Sequence, residues 1–372
     1  MSSMTPVLSV VVPVRNGERA LPAVLAALAS ADLPRNSWEL IIVDDASTDD
    51  SAEIAAGFAD TVLRLSGRAR GPAYARNRGF ELAHGGIIAF VDADVCIGPD
   101  VLRRFLAHFD TDDTLAAVVG SYDSDSAARG LISQYRNLRH YHLRRRNPGE
   151  IDFFWPACGA IRREAFVSVG LFDEWHYWRP QVEGAELGQR LRRMGQRIEL
   201  DPDIQGRHLK HWTMAGMVHT DVRDLGIPWM RLLLQERAVA VARAPALAVS
   251  EKLGTATAGC AFASLLMWAF ARNPFWVMLA ALAGTGTLLA GAPLFAHARR
   301  TRGLAFATAI VPIHAVHYLT ASWSVVIAWV LHVTVGEPRR DAVDDAFAET
   351  ELRTWPPVPR RRPQPTSGIA AR

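Results

Sequence analysis

The sequence has little of what would indicate a secreted, disulfide-bonded or nucleic-acid-binding protein. It has only three cysteines in 372 residues, too far apart for a metal-binding spacing or a disulfide framework. The net charge is only +3, whereas nucleic-acid binding normally shows as a basic face or stripe. The start of the chain has an apolar run of only six residues before Pro13 and no basic residues ahead of it, so no secretory signal is predicted. We therefore expect no nucleic-acid partner, and an N-terminal domain in the cytoplasm, a reducing compartment.

The composition changes near Lys252. Before this residue the sequence is typical of a soluble α/β protein, and after it uncharged stretches lie at 253–271, 276–296 and 303–335. Each is close to or above the roughly 18–20 residues that span a bilayer. Buried helices of a soluble core are the alternative, but such helices keep a polar face toward water. Two or three transmembrane helices are therefore predicted, in a multi-pass protein of the cell membrane that contacts membrane lipids.

The sequence is compatible with more than one topology of these helices. The basic connector at 297–302 is predicted on the cytoplasmic side, together with the N-terminal domain. Three full spans would then place the C-terminus outside, whereas the arginines at 339–340 and 360–362 favour the inside. Pro312 offers another possibility, in which the last apolar stretch forms a re-entrant pair. Residues 336–372, rich in proline and mixed charge, are predicted to be a disordered tail.

Short apolar runs alternate with helical stretches in the first 120 residues. This alternation predicts a Rossmann-like, mostly parallel α/β sheet with crossover helices on both faces. The runs lie at residues 8–12, 39–43, 61–65, 86–91 and 115–119. Ligands of open α/β folds bind at the carboxyl ends of the strands, so the residues that follow these runs are the candidate site residues.

Asp92-Ala93-Asp94 directly follows the fourth run. Two carboxylates at the end of a rigid, buried strand suit a hard divalent cation that neutralises a diphosphate. The D-x-D triplets at 123–125 and 201–203 do not follow a fully apolar strand in this alternation, and we interpret them as turn carboxylates.

Asp44 and Asp45 end the second run. Carboxylates at this place accept hydrogen bonds from a nucleobase N–H or a ribose hydroxyl. The alternative is a pair that only caps a helix and shapes a turn.

Six segments, in this order and spacing, resemble the family 2 glycosyltransferases of the GT-A fold. The resemblance covers about residues 7–235 and implies a nucleotide-sugar transferase domain at 1–225. It is followed by a possible interfacial helix at 226–250, for which an ordinary packing helix is the alternative, and by a transmembrane region at 251–335. The segments are VVVPVRNGE (10–18), IIVDDASTD (41–49), GPAYARNRG (71–79), AFVDAD (89–94), GAIRREAF to GLFDE (159–174) and EGAELGQRLRRMG (183–195).

The resemblance implies roles for individual residues on the donor side. Pro13, Arg15 and Glu18 would contact the nucleotide, alongside Asp44 and Asp45. Arg76 would lie near the diphosphate. The resemblance also implies that Asp92 would lie near the ribose and the metal, that Asp94 would be the main metal ligand and that His208 would complete the site. The implied metal is Mn²⁺ or Mg²⁺, although a lone histidine like His208 is more often a structural residue.

The resemblance also implies inverting transfer, in which a carboxylate takes the proton from the acceptor hydroxyl. The family usually has Glu-Asp at the start of the last segment, with the aspartate as base, but Gly184 stands at that position here. Glu183 is the favoured substitute, because its longer side chain would cover a displacement of one residue, and Glu186 is the second candidate.

Two functions are predicted, the first from the family segments and the apolar stretches and the second from Gly184. The first is an enzyme that moves a monosaccharide from a nucleotide-sugar to a lipid-linked or cell-envelope glycan acceptor. The second is a catalytically impaired relative that binds nucleotide-sugar and acts as a scaffold or regulator in the membrane. The aromatic residues Trp155, Trp175, Tyr177 and Trp178 are candidates for acceptor binding, with a core or membrane-interface role as the alternative.

Overall fold

The parallel centre of the sheet is built from the apolar runs near the start of the chain. The computed structural model describes residues 6–235 and 248–336. β1 pairs in parallel with β2 and with β4, and β2 pairs in parallel with β3. All four strands were predicted from the sequence, and their bounds are Leu8–Val14 for β1, Trp38–Asp44 for β2, Thr61–Arg64 for β3 and Ile87–Val91 for β4.

The other half of the sheet is mixed rather than parallel. In the described part of the chain the strand order is β3-β2-β1-β4-β8-β6-β9-β5, and β7 pairs with β9. β8 lies antiparallel between β4 and β6, whereas β9 is parallel to β6 and antiparallel to β5. The bounds are Val95–Ile97 for β5, Leu115–Tyr122 for β6, Gly149–Ile151 for β7, Cys158–Arg162 for β8 and Arg197–His208 for β9. The predicted parallel order thus holds for the first four strands.

Helices cover both faces of the sheet, as the apolar strands predict. Alternate residues of β1 enter two separate cores: Val10 and Val12 pack with α1 and α4, and Val11 packs with α3, α6 and α7. This alternation is the period of two expected for a strand buried on both sides. The helices are α1 (Leu21–Ala29), α2 (Ser51–Ala56), α3 (Pro72–Leu82), α4 (Val101–Thr111), α5 (Leu131–Arg145), α6 (Arg163–Ser168) and α7 (Glu183–Arg193).

A short helical segment connects the sheet domain to the apolar helices. It consists of α8 (Met214–His219), a π-helical turn (Thr220–Gly226) and α9 (Ile227–Gln235). The interfacial helix predicted at 226–250 corresponds to α9 in its first part. Residues 236–247, in its second part, lie outside the described residues.

Three further helices are long and apolar enough to cross a membrane. They are α10 (Val249–Ala271), α11 (Pro274–Arg302) and α12 (Leu304–Thr334). At 1.5 Å per residue even the 23 residues of α10 extend about 35 Å, more than the roughly 30 Å hydrocarbon core. α12 continues through Pro312 as one helix, so of the alternatives left open the re-entrant pair is not formed. The predicted tail from 337 onward lies outside the described residues.

The junction of α11 and α12 lies against the sheet domain. Tyr135 and Leu138 of α5 pack with Leu294 of α11 and Ile310 of α12. At the end of α11, the Arg302 guanidinium donates to Gln134 Oε1 at 2.5 Å and to the carbonyl of Ser124 at 2.7 Å. The basic connector therefore contacts the sheet domain, and its position relative to a membrane stays a prediction. The compartment in which both lie stays a prediction.

Candidate active site

A cavity of about 1170 Å³ opens at the carboxyl ends of β1, β2 and β4. This is the edge at which the sequence places its candidate residues. The cavity continues past the D-x-D segment to α7. It reaches Leu225 in the π-helical turn and Trp229 in α9, both in the segment that leads to the apolar helices. Predicted residues that line it are Pro13, Arg15, Glu18, Asp45, Arg76, Asp92, Asp94, Trp155, Trp178 and Glu183.

The loop after β1 forms one end of the cavity. Its backbone is held by the loop after β2 and by the first residue of α2, because Asn16 N–H donates to Ser47 Oγ at 2.9 Å and Gly17 N–H donates to Ser51 Oγ at 2.8 Å. Arg15 and Glu18 are exposed on this loop, and Pro13 is half-buried behind them. Two charged side chains are thus presented at the cavity rim on a backbone that is held in place.

The two aspartates at the end of β2 have different surroundings. Asp45 lines the cavity, and its carboxylate accepts hydrogen bonds from the N–H groups of Arg70 and Gly71 at 2.9 Å and 2.8 Å. Burial raises the pKa of Asp45, although these hydrogen bonds act in the opposite direction. Asp44 is buried behind the lining, where its Oδ1 accepts from the N–H of Ser47 at 3.1 Å. Asp44 therefore shapes the turn after β2, whereas Asp45 fixes the backbone just before α3 against the end of β2.

Arg76 connects Asp92 with Glu183. Its guanidinium donates to Asp92 Oδ1 at 2.7 Å and to Glu183 Oε1 at 2.9 Å, and the arginine side chain is only 3% exposed. Burial raises the pKa of Asp92, and the positive charge of Arg76 opposes that rise. One buried cation thus fixes two carboxylates from different elements on the cavity wall.

Asp94 and His208 lie together although 114 positions separate them in the sequence. β5 pairs with β9 so that Val95 is opposite His208, and this register places His208 Nε2 3.4 Å from Asp94 Oδ2. Burial tends to raise the pKa of Asp94, but the hydrogen bond and charge of His208 outweigh it and leave the pKa below 3.8. An ionised carboxylate beside an imidazole is a donor pair that suits a divalent metal.

The donor set for a metal is incomplete without a ligand. Among the described residues, no group of three or more His, Cys, Asp or Glu side chains lies close enough to hold an ion. Asp94 and His208 supply two donors, and Asp92 is engaged by Arg76. Mg²⁺ is commonly held by one or two carboxylates together with substrate phosphates, so this set fits an ion that also binds a diphosphate.

Helix α7 carries the candidate bases. Glu183, at its first residue, is 5% exposed and lines the cavity, and its Oε2 accepts from the N–H of Gln181 at 3.0 Å. Glu186 accepts two hydrogen bonds from the Arg190 guanidinium, from Nε at 2.6 Å and from Nη2 at 2.7 Å. It is not among the residues that line the cavity. Of the two predicted candidates, only Glu183 is thus placed at the cavity.

Gly184 is a packing residue. An ideal Cβ at this position would be 2.4 Å from the Phe154 carbonyl oxygen and 2.7 Å from Pro156 Cδ. Gly188, one turn later, approaches the Cα of Phe153 in the same way. α7 therefore lies against the segment before β8 at a distance that only glycine allows, and an aspartate at 184 does not fit this backbone.

An aromatic layer that the sequence does not predict lies beneath His208. The ring of Tyr122 stacks on His208 with centroids 4.4 Å apart, and Trp155 meets Tyr122 edge-on at 4.9 Å. The Arg144 guanidinium lies 4.0 Å from the Trp155 ring, and burial lowers the pKa of Arg144 to about 9. This layer fixes the ring plane of His208. Its residues are distant in sequence, so no local motif marks them.

Most of the remaining predicted residues lie outside the lining. Asp123 and Asp201 each accept a hydrogen bond from the backbone two residues later, Asp125 N–H at 3.0 Å and Asp203 N–H at 2.8 Å, which confirms their interpretation as turn carboxylates. Trp155 and Trp178 line the cavity, whereas Tyr177 packs with Val182 and Leu232. Trp175 is likewise not among the lining residues.

Comparisons with known proteins agree with this geometry. The family model described as Glycosyl transferase family 2 matches residues 9–170. The poly(ribitol-phosphate) β-N-acetylglucosaminyltransferase TarS of Staphylococcus aureus is 33% identical over 106 residues, 27% of this chain and 18% of that protein. The undecaprenyl-phosphate 4-deoxy-4-formamido-L-arabinose transferase of Pectobacterium atrosepticum is 32% identical over 136 residues, 35% of this chain and 42% of that protein. The chain thus spans less than half the length of these two relatives.

A solved structure shows the same fold. The mannosyltransferase PcManGT of Pyrobaculum calidifontis, in complex with GDP-Man and Mn²⁺, has a TM-score of 0.52 and 19% sequence identity, and covers 90% of this chain and 89% of its own. At this identity the likeness concerns the fold. Together with the family match, it shows that the chain carries a family 2 glycosyltransferase domain on the GT-A fold.

Proposed function

We propose that the protein transfers a monosaccharide from a nucleotide-sugar to a lipid-linked or cell-envelope glycan acceptor, with the help of a divalent metal and with inversion. One observation carries this proposal: a single cavity joins the strand ends that suit a nucleotide, the Asp92–Asp94 segment, and Leu225 and Trp229 beside the apolar helices. Donor, metal and a membrane-bound acceptor would meet in this cavity.

The nucleotide would occupy the end of the cavity formed after β1 and β2. This end is lined by Pro13, Arg15, Glu18 and Asp45. Asp44 lies behind the lining and stabilises the turn after β2. The rim charge of Arg15 suits an anionic donor, because attraction across a cavity of low dielectric is stronger than in water. These roles rest on position in the cavity together with the family resemblance.

Asp94 and His208 would hold Mn²⁺ or Mg²⁺, with Asp92 beside them. The 3.4 Å between Asp94 Oδ2 and His208 Nε2 is compatible with two neighbouring ligands of one small ion, whose bonds are about 2.0–2.2 Å long. When bound, such an ion neutralises the diphosphate leaving group. Arg76, between Asp92 and Glu183, would hold both carboxylates in place on the same wall.

Glu183 would act as the base. Its carboxylate is fixed by Arg76 and by the N–H of Gln181, at a point where the cavity wall is made by the start of α7. In the transfer, the acceptor hydroxyl gives its proton to Glu183 while its oxygen bonds to the anomeric carbon. The bond between that carbon and the diphosphate oxygen breaks, and the electron pair leaves with the nucleoside diphosphate.

The acceptor side favours a lipid-linked substrate. Leu225 is 40% exposed and Trp229 is half-buried, and both line the cavity where α9 leads toward the apolar helices. One relative is named for transfer to undecaprenyl phosphate. We infer that α10–α12 cross the cell membrane, with the transferase domain and the α11–α12 junction on the cytoplasmic side.

The second candidate function also has a structural observation behind it. The backbone around Gly184 excludes an aspartate, and Glu183 is already bonded to Arg76 and Gln181. A protein with this α7 that binds nucleotide-sugar without turnover would be a scaffold or regulator in the membrane.

Release of nucleoside diphosphate by the detergent-solubilised full chain tests the proposal. A panel of nucleotide-sugars is supplied with Mn²⁺ or Mg²⁺, with and without a membrane lipid extract. We expect release that needs the extract and is lost in Asp94→Ala. Asp125→Ala serves as the control, since its side chain is exposed in another D-x-D triplet. Metal-dependent nucleotide binding without release would instead establish the scaffold. Equal release without the extract would show hydrolysis rather than transfer.

A further inference from the structure

A second cavity, of about 310 Å³, lies between α5 and the first turn of α10, with α11 and α12 behind it. It shares no lining residue with the active-site cavity, and none of the roles above uses it. Its lining residues include Arg139, His142, Arg146 and Asn147 of the sheet domain, Ser250 and Glu251 of α10, and Gly291, Leu294 and His314 of the two later helices.

The cavity carries a net positive charge. Arg139 pairs with Glu251, which leaves that pair neutral. Burial, together with the charges of His297 and Arg146, lowers the pKa of His142 to about 4, so this ring is neutral at pH 7. Arg146 is exposed, and its guanidinium has no ion pair among the residues that the structure describes. One uncompensated cation therefore faces the cavity.

A buried donor or acceptor in the wall lacks a partner. His314 is 1% exposed, and its Nδ1 lies 2.7 Å from the Tyr135 hydroxyl. Its Nε2 is also buried, and no described group forms a hydrogen bond with it. An unsatisfied buried polar atom costs free energy. A hydrogen bond from His314 Nε2 would therefore stabilise a polar ligand in this cavity. When the Tyr135 hydroxyl donates to Nδ1, the proton of the neutral His314 ring is on Nε2. Nε2–H can then donate to an anionic oxygen.

The position of the cavity indicates where the anion comes from. Glu251 and Lys252 are the last charged residues of α10, and the uncharged stretch begins at Leu253. The cavity therefore lies at the level where α10 would enter the membrane, which is the level of lipid head groups. Val249, 72% exposed, and Leu253, 56% exposed, stand beside this first turn and offer apolar surface to acyl chains.

We propose that this second cavity binds the phosphodiester head group of an anionic phospholipid. Arg146 pairs with the phosphate from the rim, His314 donates to it from the wall, and the acyl chains leave along α10. The site is separate from the acceptor's path, because the two cavities share no residue. The inference depends on the helices being in a membrane and does not depend on sugar transfer.

Titration of the full chain with dioleoylphosphatidylglycerol in neutral detergent tests this site, with bound lipid counted by native mass spectrometry. Arg146→Gln is expected to weaken binding about fivefold, since one cation near an anionic lipid surface contributes on the order of that factor. Arg145→Gln is the matched control, because Arg145 has the same charge one position earlier but pairs with Asp203. It should bind like the wild type, and Arg146→Lys should retain most of the affinity.

Three results would overturn the proposal. The first is equal weakening by Arg146→Gln and Arg145→Gln, which would show only a general charge effect. The second is equal affinity for dioleoylphosphatidylcholine, which would show that the head group is not recognised. The third is complete displacement of the lipid by millimolar inorganic phosphate, which would assign the cavity to a soluble anion. The melting temperature of each variant without lipid shows that a weakened site is not a misfolded protein.

Discussion

The carbonyl oxygen of Phe154 lies 2.4 Å from the point that a Cβ on residue 184 would occupy, so Gly184 allows α7 to contact the segment before β8. Gly184, which has no carboxyl group, stands where the family resemblance places the catalytic aspartate. The absence of a carboxylate at residue 184 is therefore linked to the packing of α7 against the segment before β8. A side chain at residue 184 would require the helix to move. The neighbouring Glu183, at the same helix start, is the carboxylate that lines the cavity and that we propose as the base.

We expect Gly184→Ala and Gly184→Asp to lower the melting temperature of the solubilised protein. Overpacking of this kind costs about 1–3 kcal/mol, and the aspartate adds a negative charge beside Glu183. Gly86→Ala is the control, because a Cβ there meets nothing within 4 Å. A Gly184→Asp protein that melts like the wild type and releases more nucleoside diphosphate would show that the aspartate position is functional and was simply lost.

The sequence predicted the parts of the fold that depend on local pattern. β1–β4 and the apolar helices follow from continuous apolar runs, and the Asp92–Asp94 segment follows from its place after β4. β8 was missed because Cys-Gly-Ala-Ile-Arg has only one β-branched residue, and its antiparallel place between β4 and β6 depends on contacts distant in sequence. The tight packing of Gly184 is likewise invisible without the partner backbone.

Arg76 is expected to stabilise the fold through its two carboxylates. Arg76→Gln leaves Asp92 and the buried Glu183 without their cation, and loss of one partner of such a buried group costs about 3 kcal/mol. The melting temperature should fall, and adding Glu183→Gln to the same protein should recover part of the loss. Arg64→Gln, which breaks the exposed pair with Glu53, should leave the melting temperature unchanged. If Arg76→Gln and Arg64→Gln have the same melting temperature, the buried Arg76 ion pairs contribute no more to stability than the exposed Arg64–Glu53 pair.

Trp229 is expected to act on the acceptor and not on the donor. It lines the cavity beside Leu225, and its buried Nε1 forms no hydrogen bond within the described part of the chain. Trp229→Ala should raise KM for the lipid acceptor about tenfold, as loss of a buried aromatic anchor does, while nucleotide binding stays the same. Trp268→Ala is the control, since Trp268 is near the far end of α10. An equal loss of nucleotide affinity would place Trp229 in the donor site or in folding.

The contact between the sheet domain and α12 should be sensitive to acid through Asp221. This aspartate is 5% exposed as a side chain, and it accepts from Arg136 at 2.5 Å and lies 2.7 Å from His317 Nδ1. Burial tends to raise the pKa of Asp221, but His317 and Arg136 outweigh it and hold the pKa well below 3.8. A carboxylate whose pKa is lower in the folded state adds stability that is complete above its unfolded pKa, about 3.9, and is lost as the pH falls further.

The melting temperature, measured from pH 7 to pH 3, checks this prediction. In the wild type it should begin to fall near pH 4. Asp221→Asn should be less stable at pH 7, because the amide removes the charge between Arg136 and His317, and it should show a shallower fall below pH 4. Asp113→Asn, at a fully exposed carboxylate, should keep the wild-type slope. Since other carboxylates also titrate in this range, the difference in slope between Asp221→Asn and the wild type isolates Asp221. Identical slopes would show that the pair does not connect the sheet domain to α12 in solution.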